Sequence, residues 1–135
     1  NNWPADGKAI ETAMLAANVQ IKGAVLLGAN TKVGDSARLD NGVVTGKHCA
    51  IKRNAQVSAS VLWERVTVDE SAVVQNSVLA DGAYVGAGAV LENAVLGHNA
   101  MVGASEKPPA GLRLNPESTY CKGIVTEPTP LRTGD

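Results

Sequence analysis

Phenylalanine is absent from the 135 residues, and aromatic residues of any kind make up only 3 %. A core built round large aromatic anchors is therefore excluded, and whatever this chain buries must be stacked from small aliphatics. Cysteine is as scarce: Cys49 and Cys121 are too few for a disulfide framework, which points to a reducing, cytoplasmic setting. Charge excess is missing too. The net charge is −1, so bulk electrostatics recommend neither a nucleic-acid nor an anionic-membrane partner. No stretch resembles a signal-peptide h-region or a membrane span. The chain opens Asn1-Asn2-Trp3 and not with Met, which reads as a processed product or a piece of something longer.

What the chain has is a period. Aliphatics recur at Ile51, Val57, Leu62, Val68, Val74, Leu79, Val85, Leu91, Leu96 and Val102, in repeated steps of six, six and five. Upstream the step is a plain six, from Thr45 through Leu39, Val33, Leu27 and Ile21 to Leu15, and Thr45 is the one register position that is not aliphatic. Two residues before each register position stands a second small or branched residue, as in Ala83-Tyr84-Val85, Ala72-Val73-Val74 and Ala55-Gln56-Val57. Residues two apart share a face of a strand. Each hexad is thus a very short strand with two inward side chains and one outward, followed by a turn such as Gly86-Ala87-Gly88 or Gly34-Asp35-Ser36.

A hexapeptide period is the signature of a parallel β-helix, in which each strand pairs with its equivalent one coil away and three hexads close a triangular coil. The expected fold is all-β, with about five coils over residues 15–104, a prism roughly 25 Å long at about 4.8 Å per coil. Residues 1–14 form an N-terminal cap or lead-in, and residues 105–135 a Pro-rich tail that leaves the repeat at Lys107-Pro108-Pro109. Asp6 to Ala17 fits two patterns: a short helix through Ile10, Ala13, Met14 and Ala17, or the hexad frame through Ala9 and Ala13.

Outward residues stack into ladders, one per face. The first, Lys32, Ala50, Thr67, Tyr84 and Met101, is mixed; the second grades from polar Arg38 and Gln56 to apolar Val73 and Val90. The third is Leu26, Val44, Val61, Val78 and Val95, with Trp63 pointing out beside Val61. An unbroken aliphatic ladder with a Trp is too much apolar surface to leave in water, so this face is the candidate interface. Three covers fit it: a second copy of the chain, a separate domain, or the chain's own tail, which carries Leu112, Leu114, Tyr120, Ile124 and Val125.

Chemistry-bearing residues are few. His48 and His98 both follow a register position of the third face, and "LGHNAMVG", 96–103, resembles the His-containing coil of hexapeptide acyltransferases. That resemblance implies a general base at His98, or at His48, in a groove between subunits, with acyl-CoA or an acyl-carrier protein as donor. Against it stands the plain reading of a solvent-facing turn histidine. A three-histidine metal site is excluded, since the chain has only two histidines, three coils apart. Lys32, Lys47, His48, Lys52 and Arg53 fall on neighbouring turns and form a candidate anion-binding patch.

The stretch "SVLWERVTVDESAVVQNSVLADGAYVGAGAVLENAVLG", 60–97, resembles the C-terminal domain of sugar-nucleotide pyrophosphorylases of the mannose-1-phosphate guanylyltransferase and glucose-1-phosphate adenylyltransferase type. Ser-Val-Leu-Trp followed by Asn-Ser-Val-Leu one coil later carries it. The resemblance implies a left-handed coil, against the usual right-handed crossover rule. It also implies a non-catalytic role in oligomerisation, docking or regulation, because catalysis in that family belongs to a preceding nucleotide-binding domain whose Gly-rich phosphate loop is not found here. The partner expected is a second copy or a catalytic nucleotidyltransferase domain, with no resident cofactor.

Overall fold

The computed structural model describes residues 8–9 and 13–128 of the chain. Among them every regular element is a strand. They build a left-handed parallel β-helix of about six turns, most strands two or three residues long, each paired in parallel with its equivalent one coil away. Register residues and their partners two before them point inward: Ala55 and Val57, Ala72 and Val74, and Ala83 and Val85 are all buried.

Each coil bends at three corners, most of them turned by a single residue at positive φ. Asn18, Ser36, Asn54 and Ser71 turn successive coils at one corner, and Asn30, His48, Arg65 and Asn99 serve another. Asn recurs at these corners because its short amide tolerates the left-handed region better than most side chains do. The five-residue steps originate at the third corner, where Asn41-Gly42 in one coil is answered by Ala59 alone in the next. Pairing slips there, between Asp40 and Val43, and the strands on both sides keep their faces.

Of the buried polar residues Thr31, Thr45, Ser60, Ser77 and Ser118, all but Ser118 have bonded hydroxyls. Thr45 Oγ1 accepts from Gly28 N at 3.1 Å, and Thr31 Oγ1 donates to the Gly46 carbonyl at 3.0 Å, so the break in the aliphatic register is a buried hydroxyl pair holding the corner. Ser60 Oγ donates to the Ser58 carbonyl and accepts from Ser77 N. One coil on, Ser77 Oγ does the same with the Gln75 carbonyl and Ala94 N.

The solenoid runs past residue 104. Arg113–Leu114 pairs with Val95–Leu96, and Thr119–Cys121 pairs with Met101–Val102, so the boundary expected at residue 105 falls one coil early. Leu114 and Tyr120 each stand 18 residues beyond Leu96 and Val102, but Pro108-Pro109 interrupts the hexad before Leu114. Ile124–Thr126 then folds back antiparallel on Thr119–Cys121 through a two-residue turn at Lys122-Gly123, both at positive φ, the type I′ geometry of hairpins. Glu106 ties that turn down by accepting from Lys122 N and Gly123 N.

At the other end Met14–Leu15 pairs with Lys32–Val33, and Lys8–Ala9 with Val25–Leu26. The hexad frame therefore holds at residues 13–15, whereas at 8–9 it is shifted by one: Ala9 stands opposite outward Leu26, not opposite the register residue Leu27. Ile10 and the rest of the expected lead-in lie outside the described residues.

Candidate functional site

Among the described residues the third face carries the one long apolar strip that the repeat builds outward. Leu26, Val44, Val61, Val78 and Val95 are register neighbours in five successive coils. Each keeps 36–40 % of its surface exposed, and the side chains stack about 4.8 Å apart. The strip ends at Arg113, whose guanidinium donates to the carbonyls of Asn93, Gly111 and Leu112.

Trp63 stands at the strip's edge, 55 % exposed. Its coil-equivalents are small: Gly46 on one side, Ala80 and Gly97 on the other. A Cβ on Gly46 would meet the Trp63 backbone at 3.0 Å, so the indole projects from an otherwise flat corner. Behind it, Cys49 Sγ donates to the Trp63 carbonyl at 2.8 Å and pins the backbone. Two depressions flank the indole. One, about 470 Å³, lies over Val44, Gly46 and Val61; the other, about 420 Å³, is lined by Arg65, Asp81, His98 and Asn99.

Burial pushes the Cys49 thiol up from its ordinary range, and the bonds it makes to the neighbouring coil offset this only in part. Cys121 is exposed. A folded sample should therefore titrate with one fast-reacting thiol towards a disulfide reagent, and Cys121→Ser should remove that reaction; two fast thiols would contradict the burial.

His98 and His48 are both exposed, three coils apart on one edge. His98 Nε2 lies 3.9 Å from Glu117 Oε2 in the polar depression, whereas His48 holds a corner at φ 61°. Among the described residues no three His, Cys, Asp or Glu side chains converge as a metal site would need. The basic candidates divide between two corners. Lys47 and His48 precede the strand Ala50–Ile51, and Lys52 and Arg53 follow it, with Lys32 on the same face one coil away. Arg53 pairs with Glu70 at 3.3 Å, an exposed contact.

On the first face the Tyr84 hydroxyl donates to Asp69 Oδ2. This bond, aided by the Glu70 backbone and Lys52, holds the Asp69 carboxyl below its usual range, and it raises the Tyr84 phenol. A lowered carboxyl stabilises the fold above its unfolded value, about pH 4, and that contribution is lost as pH falls through the folded value. The raised phenol stabilises below about pH 10 and is lost as pH rises through its folded value. Tyr84→Phe should return the Asp69 midpoint to the ordinary carboxylate range in a carbon-detected NMR titration; an unmoved midpoint would contradict the assignment.

These features define a hexapeptide-repeat left-handed β-helix. The chain belongs to the family described as the EIF2B subunit epsilon LbH domain, which matches residues 8–107, and that family is sugar-nucleotide-pyrophosphorylase-like. No curated protein sequence matches the chain significantly. Solved structures of similar fold include WeeI from Acinetobacter baumannii AYE, 18 % identical with TM-score 0.62, the match covering 86 % of this chain and 55 % of that one. A hexapeptide transferase family protein from Anaplasma phagocytophilum is 16 % identical with TM-score 0.56, covering 93 % and 84 %. The product of the BC4754 gene of Bacillus cereus is 15 % identical with TM-score 0.60, covering 93 % and 83 %. At these identities the likeness establishes the fold. The chain spans about half the length of WeeI.

Proposed function

We propose that this chain is a non-catalytic assembly domain that docks a second copy of itself through the third face. The observation that carries the reading is the exposed ladder from Leu26 to Val95. Residues 105–128, the part of the tail that is described, leave it uncovered: Leu114 is buried, Leu112 and Tyr120 pack against the core, and Ile124–Thr126 joins the sheet of the first face. A two-fold interface needs a patch complementary to itself. A knob, the Trp63 indole, beside a depression over Val44 and Gly46 supports this reading of the third face. The family description names a subunit, which accords with a role in assembly.

Sedimentation velocity over a range of concentrations tests the reading. A dimer that dissociates on dilution is expected; a monomer at every concentration overturns the second-copy assignment and leaves a catalytic nucleotidyltransferase domain as the cover. One observation favours a second reading, a hexapeptide acyltransferase using acyl-CoA or an acyl-carrier protein. His98 lines the polar depression beside Trp63 at the edge of the same interface. On that reading His98→Ala abolishes acyl transfer without changing the sedimentation profile.

A further inference from the structure

The second face, which meets the docking face at the Asn41-Gly42 corner, carries a different pattern. Gln20, Arg38 and Gln56 are register neighbours in three successive coils, so a guanidinium stands between two amides. Toward the end of the same strands Lys22, Asp40 and Ser58 form a parallel ladder. At the preceding corner Asn18, Ser36 and Asn54 form another, all three held at φ 62–63°. The result is a grid of polar side chains three by three. Neighbours lie about 4.8 Å apart along the helix axis and about 6.6 Å apart along the strand.

Arg38 differs from the other described arginines in being unpaired. Arg53 and Arg65 face Glu70 and Glu64 at 3.3 and 3.5 Å, and Arg113 binds backbone carbonyls. Arg38, alone of the four described arginines, has no ion pair or hydrogen bond within the described chain, and the side chains of the other eight grid residues have none either. Three adjoining depressions share Arg38, the largest about 490 Å³ over Gln20, Ser36, Asn54 and Gln56.

The chemistry of the donors selects the ligand. Four amides offer donors and acceptors side by side, the arrangement that vicinal hydroxyls meet in pairs. Asp40 accepts only, and so calls for hydroxyl donors and disfavours a bare anion. Arg38 presents a fork suited to a phosphate or carboxylate. We infer that this grid is a binding site for a small hydroxyl-rich anion, a sugar bearing one acidic group, with Arg38 on the acid and the amides of Gln20, Asn54 and Gln56 on the hydroxyls. The acid is a phosphate or a carboxylate, and both meet Arg38 in the same way.

Side-chain amide resonances give the test, since Asn and Gln NH₂ groups report directly in nitrogen–proton NMR spectra. Titration with glucose 6-phosphate and, separately, with glucuronate should shift the Gln20, Asn54 and Gln56 signals saturably, and the tighter of the two identifies the acid. Glucose alone and inorganic phosphate alone should bind at least about tenfold more weakly. Arg38→Gln should remove the saturable shifts while the backbone spectrum stays unchanged. Arg38→Lys, which keeps the charge and loses the fork, should weaken binding about three- to tenfold. Shifts that never saturate, phosphate acting as well as glucose 6-phosphate, or Arg38→Gln binding as the wild type does would each overturn the inference. None of these outcomes involves the third face, so the site and the docking proposal stand or fall separately.

Discussion

Ala72→Leu is expected to destabilise the fold by about 1 to 3 kcal/mol or more, lowering the midpoint of thermal unfolding by several degrees. The reason lies in the ladder that contains it. Ala37, Ala55, Ala72 and Ala89 occupy one inward corner of four successive coils, each fully buried, its carbonyl accepting from an N–H of the preceding coil and its own N–H closing the turn before it. A coil cannot widen by itself, because its strands are bonded at fixed spacing to both neighbours; three extra carbons must displace Val57, Val74 or Leu91 from their rotamers. Val73→Leu, on the adjacent half-buried outward position, provides the control and should change the midpoint little. Differential scanning calorimetry of the pair decides it. Equal midpoints for Ala72→Leu and wild type would mean that the prism has internal slack the structure does not show.

Val61→Glu is expected to weaken self-association at least about a hundredfold, equivalent to roughly 2.7 kcal/mol. The side chain sits mid-ladder beside Trp63, and in a face-to-face dimer its carboxylate would be buried against aliphatics with no cation opposite. The monomer should tolerate the change. Val61 points outward and its N–H bond to the Ser77 carbonyl is a backbone contact, so circular dichroism and melting should match the wild type at concentrations where both are monomeric. Val78→Glu, one coil on, should behave alike. A Val61→Glu protein that dimerises as the wild type does would remove the third face from the interface.

The repeat was legible because each register residue answers to one physical demand, burial at a fixed angle of a triangular coil. That demand fixed the inward positions from Ile51 to Val102 and the outward ladder of the third face from the spacing alone. What escaped the period was set by other forces. Leu114 and Tyr120 continue the stack, but Pro108-Pro109 replaces the hexad before them, so step counting stops at a place where the backbone does not. Thr45 broke the aliphatic rule because its hydroxyl serves a corner, a bond no hydropathy pattern carries. Ser60 and Ser77, one coil apart and both inward, hold the slipped corner in the same way; their 17-residue spacing was the available signal. Trp63 was visible as an outward residue, but the sockets beside it depend on Gly46, Ala80 and Gly97 being its neighbours across coils. The Arg38 grid needed more still. The fall from polar to apolar along the second face was plain, but the absence of a partner for Arg38 among the described residues is a fact of three dimensions.

The most direct test of third-face docking is a half-filtered nuclear Overhauser experiment on a mixed dimer, one copy carrying labelled valine methyls and the other unlabelled. The docking account predicts contacts between the Trp63 indole protons of one copy and the Val44 and Val61 methyls of the other. A sample shown to be dimeric whose only intermolecular contacts involve Tyr84, Met101 or other residues of the remaining faces would contradict it.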